Sequence, residues 1–132
     1  MVSFARIVPN QHYSRKELAS LWGYRSYQAI ARGVVTPKGD NKIILFVTQD
    51  KQSSSEQYRD YLVGAVLHWE GPNDHFAEER MQCAQRQGDE IHLFYREKHH
   101  SDFVYMGQVD VVGCTLLTGR PSRFELQLRA AE

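Results

Sequence analysis

The sequence is short of cysteine, of long apolar runs and of net charge, and each shortage excludes a class of protein. Cys83 and Cys114 are its only cysteines. They stand far apart with no second pair, so they read as buried thiols of a cytoplasmic protein, not as a disulfide or a zinc site. No stretch reaches the roughly 18 apolar residues that a membrane-spanning helix requires. The opening residues, MVSFARIVPNQHYSRKE, lack the apolar centre of a secretory signal. The Gly-x-x-x-x-Gly-Lys-Ser/Thr spacing of a phosphate-cradling nucleotide loop is missing, and so are internal repeats.

What remains is a chain of 132 residues, 42% hydrophobic and 24% charged. That size and balance fit one domain, residues 1–132, folded around one core. The zero net charge conceals an uneven spread. Residues 1–44 carry a net +5, residues 45–97 a net −5, and residues 98–132 equal numbers of each sign. A basic first third suits an anionic partner bound on one face. The competing account is that the two opposed thirds neutralise each other across the fold.

Local signals divide the chain into elements. Residues 2–8 are expected as a short strand that breaks at Pro9 and Asn10. Ser14 and Glu17 form a capping box, and Tyr13 with Leu18 a hydrophobic staple, which predicts a helix over residues 15–22 closed by Gly23. Residues 24–30 read as extended or partly helical. Pro37 and Gly39 make residues 36–41 a turn. The nearly continuous apolar run 42–48 predicts a central strand covered on both faces. Residues 49–57 read as a polar surface loop, 58–61 as a helical turn or an approach, and 62–69 as a strand. After a break at residues 71–74, Asp74 is expected to cap a helix over residues 75–87 that Gly88 ends.

Residues 91–96, 103–117 and 124–128 supply further strands. The middle one reads as one long bent strand or a hairpin, with Gly107 or Gly113 as a bulge. Residues 120–123 read as a turn. Six to seven strands with two helices, and no regular alternation of the two, predict an α+β, mainly β fold: a half-open barrel with helices packed at its ends.

The candidate binding residues are basic, polar and aromatic. Tyr24, Arg25, Ser26 and Tyr27 lead to Arg32, and Lys38, Asn41 and Lys42 follow on the turn. With Trp69, the tyrosines suit stacking on a base or enclosing one flipped from a duplex, although core positions suit such rings as well. His99, His100, Ser101 and Asp102 form a second cluster. Adjacent histidines on an extended chain point to opposite faces and chelate one metal badly, so no metal site is expected there. A loop that binds phosphate or a base edge fits this run, and so does a plain hairpin turn with solvated histidines. Arg120 and Arg123, either side of Pro121, suit bidentate contact with phosphate or guanine; a solvated turn fits them equally. Asp40 with Lys42, and Glu97 with Lys98, hint at a metal-dependent nuclease, but such a site needs converging carboxylates and the spacing is loose. No catalytic residue and no cofactor are predicted.

Three strings carry a resemblance: YSRKELASLWGYRSYQAIARGVVTPKGDNKIILFVT, GDEIHLFYREKHHSDFVYMGQV and RPSRFELQL. From about Tyr13 to Leu128 the chain resembles a prokaryotic domain of undefined function. That domain stands at the C-terminal end of DEAD/DEAH-box helicases, often fused to a phospholipase-D-type nuclease, with related copies beside HNH endonucleases. The resemblance implies a restriction or phage-defence setting and a DNA-directed role. It transfers no catalytic residue, because the nuclease and helicase motifs belong to other domains. By analogy with the small barrels that read DNA in restriction systems, it adds B3-like or SRA/PUA-like pseudo-barrels as forms of the half-open barrel.

The expected function is a non-catalytic module that binds double-stranded DNA. Defence systems must separate self from foreign DNA, which extends this reading to modified bases or a modified backbone. The alternative is a docking module whose basic face meets an acidic surface of a helicase or nuclease subunit. A small metal-dependent nuclease built on Asp40, Glu97 and Lys42 or Lys98 stands third.

Overall fold

The apolar run that the sequence marks as central is buried from Ile43 to Val47, and alternation explains why it is continuous. Ile43, Leu45 and Val47 join one hydrophobic cluster; Ile44 and Phe46 join another on the opposite face. In a computed structural model describing residues 2–50, 60–98 and 100–129, the elements follow in chain order. They are β1 (His12–Tyr13), α1 (Arg15–Leu21), a 3-10 turn (Tyr27–Ile30), β2 (Val34–Val35), β3 (Lys42–Asp50), β4 (Tyr61–Val63), β5 (Val66–Glu70), α2 (Glu78–Gln82), α3 (Ala84–Gln87), β6 (Glu90–Lys98), β7 (Phe103–Thr115) and β8 (Arg123–Leu128).

The strands form one mixed sheet in the order β2-β3-β6-β7-β8-β5-β4, with β1 added to β7. β3 and β6 run parallel, Lys42 opposite Glu90 and Thr48 opposite Arg96. β7 is one long strand that changes partners. It pairs with β6 up to Val109 and with β8 from there to Thr115. The register slips twice, beside Gly107 and between Val111 and Gly113, so both candidate glycines mark irregularities. Such slips bend a strand and tighten its twist. The curl brings Leu67, Trp69, Phe124 and Leu126 into the cluster of Ile43, Leu45 and Leu93, inside an α+β half-open barrel. β2 and β4 end the strand order unpaired with each other, so the barrel is not closed. α1 covers the outer face through Leu18 and Ala19 over Ile44, Phe94 and Phe103.

The predicted capping box is present. Ser14 Oγ accepts the Glu17 amide at 3.1 Å, and Glu17 Oε1 accepts the Ser14 amide at 3.1 Å. Gly23 follows the helix at φ +79, as expected of its terminator.

Other expectations change. Residues 2–8 form no strand; Val2 and Ile7 are instead buried in the outer cluster, and Trp22 Nε1 donates to the Ser3 carbonyl. Residues 62–69 divide into a hairpin at Gly64, φ +60. The helix expected over residues 75–87 is two short helices that meet at Cys83. Ala77, not Asp74, precedes the first of them. The first turn instead holds Glu78, whose carboxylate is buried and bonded to His75 and Ser122. The backbone is left-handed at His75 and Ala77, which interrupts a helix begun at Asp74. Most of the expected loop 49–57, Tyr58 and His99 lie outside the described residues.

Candidate nucleic-acid interface

α1 and the chain that leaves it enclose an open hollow of about 500 Å³. Lys16, Ala19 and Ser20 line it from the helix; Gly23, Tyr24, Arg25, Ser26 and Tyr27 line it from the loop. Left-handed Gly23 turns the chain so that the Tyr24 amide donates back to the Ala19 carbonyl at 2.9 Å. Ser26 Oγ then accepts the Gln28 amide and starts the 3-10 turn. Arg25 and Ser26 are exposed, Tyr27 is 41% exposed, and Lys16 Nζ lies 5.9 Å from the Tyr27 ring centroid. Four predicted site residues therefore converge, and Lys16 joins them.

The turn at residues 36–41 is elsewhere. Lys38 is exposed, but Asn41 and Lys42 are engaged internally. Lys42 Nζ donates to Asn41 Oδ1 at 2.8 Å and lies 3.7 Å from both Asp40 Oδ1 and Glu90 Oε1. Asp40 in turn accepts the Val2 amide at 2.6 Å. The charge that made Lys42 attractive is neutralised within the fold. Lys42 also stands six residues along β3 from Thr48, roughly 20 Å from the β6–β7 turn that holds His100, Ser101 and Asp102. Those three are exposed, and the Ser101 carbonyl accepts from Arg96 at 3.0 Å.

The proposed nuclease residues separate in the same way. Asp40 lies just before β3, whereas Glu97 and Lys98 end the parallel strand β6. Among the described residues no three His, Cys, Asp or Glu side chains gather to hold a metal.

Arg32 is exposed and lies 3.8 Å from Asp74, with its guanidinium 4.6 Å over the Phe76 ring. Arg123 lines a second hollow, of about 410 Å³, on the solvent face of β4, β5 and β8. There the Tyr61 and His68 rings stack at 4.6 Å, and Glu70 and Glu125 bring negative charge. Arg120 is exposed on the preceding turn. Trp69 is 6% exposed and packs in the inner core 5.4 Å from Phe124.

Two arginines stand outside the named candidate residues: Arg96, and Arg15, which counts only within the basic first third. Arg15 and Arg96 both lie over Phe103, at 5.0 and 4.2 Å. One signal was available: Arg15 puts a cation at the first position of a helix, where the helix dipole favours an acid.

On the same outer face as α1, His92 Nδ1 and the Tyr105 hydroxyl are 2.7 Å apart, and His92 Nε2 is 2.9 Å from Glu90 Oε1. Phe4 stacks on the imidazole at 3.7 Å. Burial, followed by the Glu90 charge, pushes Tyr105 up to about 12. Burial holds His92 below its ordinary 6.5 despite the pull of Glu90. The unfolded chain therefore takes up a proton at His92 before the folded one does. Stability is expected to fall as pH drops below about 6.5, until the folded imidazole titrates. Glu90, lowered chiefly by its bond to His92, adds a loss of the same sign at lower pH. Urea midpoints at pH 7.5 and 5.5 should differ less in His92→Gln than in the parent. An undiminished difference would remove His92 as the cause.

The fold is similar to that of SUVH5 SRA crystallised with hemimethylated CG DNA: 17% identity, 95% of this chain and 90% of that chain covered, TM-score 0.63. It is also similar to SUVH5 SRA crystallised with fully methylated CG DNA, at 16% identity, the same coverage and TM-score 0.61. At such identities the likeness shows an SRA-like fold. Comparison with curated proteins gives no match. Residues 7–120 match the family DUF3427, a domain of unknown function, and the chain belongs to that family.

Proposed function

We propose that this chain is a non-catalytic module, spanning residues 1–132, that binds double-stranded DNA and reads its modification. The observation that carries the reading is a basic and aromatic hollow, open to solvent, on a fold whose similar solved chains hold methylated CG DNA. Lys16 and Arg25 supply phosphate contacts, and Tyr24 and Tyr27 supply ring faces for a base. The exposed turn at His100, Ser101 and Asp102 and the side chain of Arg32 extend the contact. A restriction or phage-defence setting, implied by the sequence resemblance, gives modification reading a purpose.

Labelled duplexes, unmodified, cytosine-methylated and phosphorothioated, test this at two salt concentrations. One modified duplex is expected to bind at least about tenfold more tightly, as an added discriminating contact would give. Its preference should survive the higher salt, because phosphate contacts shared by all duplexes carry the salt dependence. Failure to bind any duplex at low salt would overturn the reading. It would favour docking on a helicase or nuclease subunit, for which exposed Tyr61, Val63, Val112 and Leu116 offer apolar contact.

A further inference from the structure

Two half-buried arginines on the outer face share one aromatic ring and bond to neutral oxygens. Arg15 Cζ lies 4.7 Å from the Phe46 ring centroid and 5.0 Å from that of Phe103. Arg96 Cζ stands 4.2 Å from the Phe103 centroid. Arg15 Nε donates to the Ile30 carbonyl at 3.2 Å, and its Nη2 to the Arg32 carbonyl at 3.3 Å. Arg96 Nε donates to Thr48 Oγ1 at 2.8 Å, and its Nη1 to the Ser101 carbonyl at 3.0 Å. All four acceptors are neutral. Among the residues whose side chains are described, no carboxylate forms an ion pair with either guanidinium.

This arrangement is costly, because burial and a like charge both disfavour a charged guanidinium. Burial and the neighbouring Arg96 charge bring Arg15 down to about 10, and burial lowers Arg96 as well. A pair of arginines kept only for packing on Phe103 would be relieved by a carboxylate nearby. Here the fold instead fixes both planes with neutral oxygens. A guanidinium carries five N–H donors, so each retains donors beyond the two engaged. Planar, oriented donors of this kind match phosphate oxygens.

We propose that Arg15 and Arg96 form a phosphate clamp that takes one phosphodiester of a DNA backbone. It rests on the DNA-binding reading for the source of the phosphate, and adds residues that lie outside the Tyr24–Tyr27 hollow. The β6–β7 turn is built into it, since Ser101 orients Arg96 through its carbonyl.

The test uses the whole chain with nitrogen-15-labelled arginine side chains. Inorganic phosphate, titrated at constant ionic strength against chloride, should shift the Nε–Hε resonances of Arg15 and Arg96 saturably. Arg96→Lys should abolish the shift at Arg15. In a second arm, Arg96→Lys and Arg15→Lys should each weaken duplex binding about tenfold, because a point charge replaces a planar fork. Arg96→Gln should also reduce the slope of log affinity against log salt by about one. The wild-type titration needs no variant to fold. If phosphate leaves both resonances in place and the lysine variants bind duplex normally, the clamp is wrong and the DNA reading stands. If phosphate shifts both resonances but no duplex binds, the clamp holds free phosphate and the DNA reading fails.

Discussion

Changing Arg25 and Tyr27 together to alanine is expected to weaken duplex binding about 100-fold or more at low salt, from one lost stacking contact and one lost charged hydrogen bond. Both side chains belong to the hollow beside α1, and neither is committed to the core. The folded state should therefore be almost unaffected, and an unchanged melting temperature would separate lost contact from lost structure. The salt slope should fall by about one, since only Arg25 faces a phosphate in this reading. Tyr27→Phe should keep most of the affinity, because the ring face and not the hydroxyl makes the contact. Full affinity in the double variant would remove the hollow from the interface. The contact would then fall to the clamp at Arg15 and Arg96, the adjoining turn at residues 100–102 and Arg32.

Phe94→Ala should produce the largest loss of stability. Phe94 is 0% exposed, on the strand face that α1 covers. Its ring meets Tyr105 at 5.1 Å, Phe46 at 5.2 Å, Trp22 at 6.1 Å, Phe4 at 6.2 Å and Tyr13 at 6.4 Å. Those partners come from β7, β3, the end of α1, the segment before β1, and β1 itself. One ring thus ties the outer layer to the sheet. Truncation of a buried phenylalanine costs about 3–5 kcal/mol, against a typical domain stability of about 5–15 kcal/mol. Urea unfolding should show a much lower midpoint, and the hollow that α1 supports should lose its shape in the same variant. A cost below about 1 kcal/mol would mean that the outer layer closes over the cavity, contrary to the usual partial relaxation of cores.

The clamp shows how far local reading reaches. Arg15 was visible in sequence as a helix residue and Arg96 as a strand residue. Their meeting over Phe103 depends on the parallel pairing of β3 with β6, which sets Thr48 opposite Arg96. No spacing rule connects residues so far apart. Lys42 shows the reverse error. Its position at the head of an apolar strand made it look available, and Asp40 with Glu90 occupy it. The helix expected from Asp74 failed for a related reason. Left-handed backbone at His75 and Ala77 interrupts it, and Glu78 turns to a long-range bond with Ser122 and to one with His75 that no local capping signal encodes.

What short-range physics controls was legible in the residues before folding. Ser14 and Glu17 bind each other's backbone three residues apart, so α1 begins where they stand. The run from Ile43 to Val47 has no polar face, so it had to be covered on both sides. Gly107 and Gly113 mark where the long strand loses register. The tertiary structure alone decided which charges face one another. Charge pairing depends on distance through the folded chain, and strand order and curl set that distance. The basic first third therefore divided into a neutralised Lys42, an open hollow around Arg25, and an Arg15 bonded to backbone carbonyls in the field of Arg96.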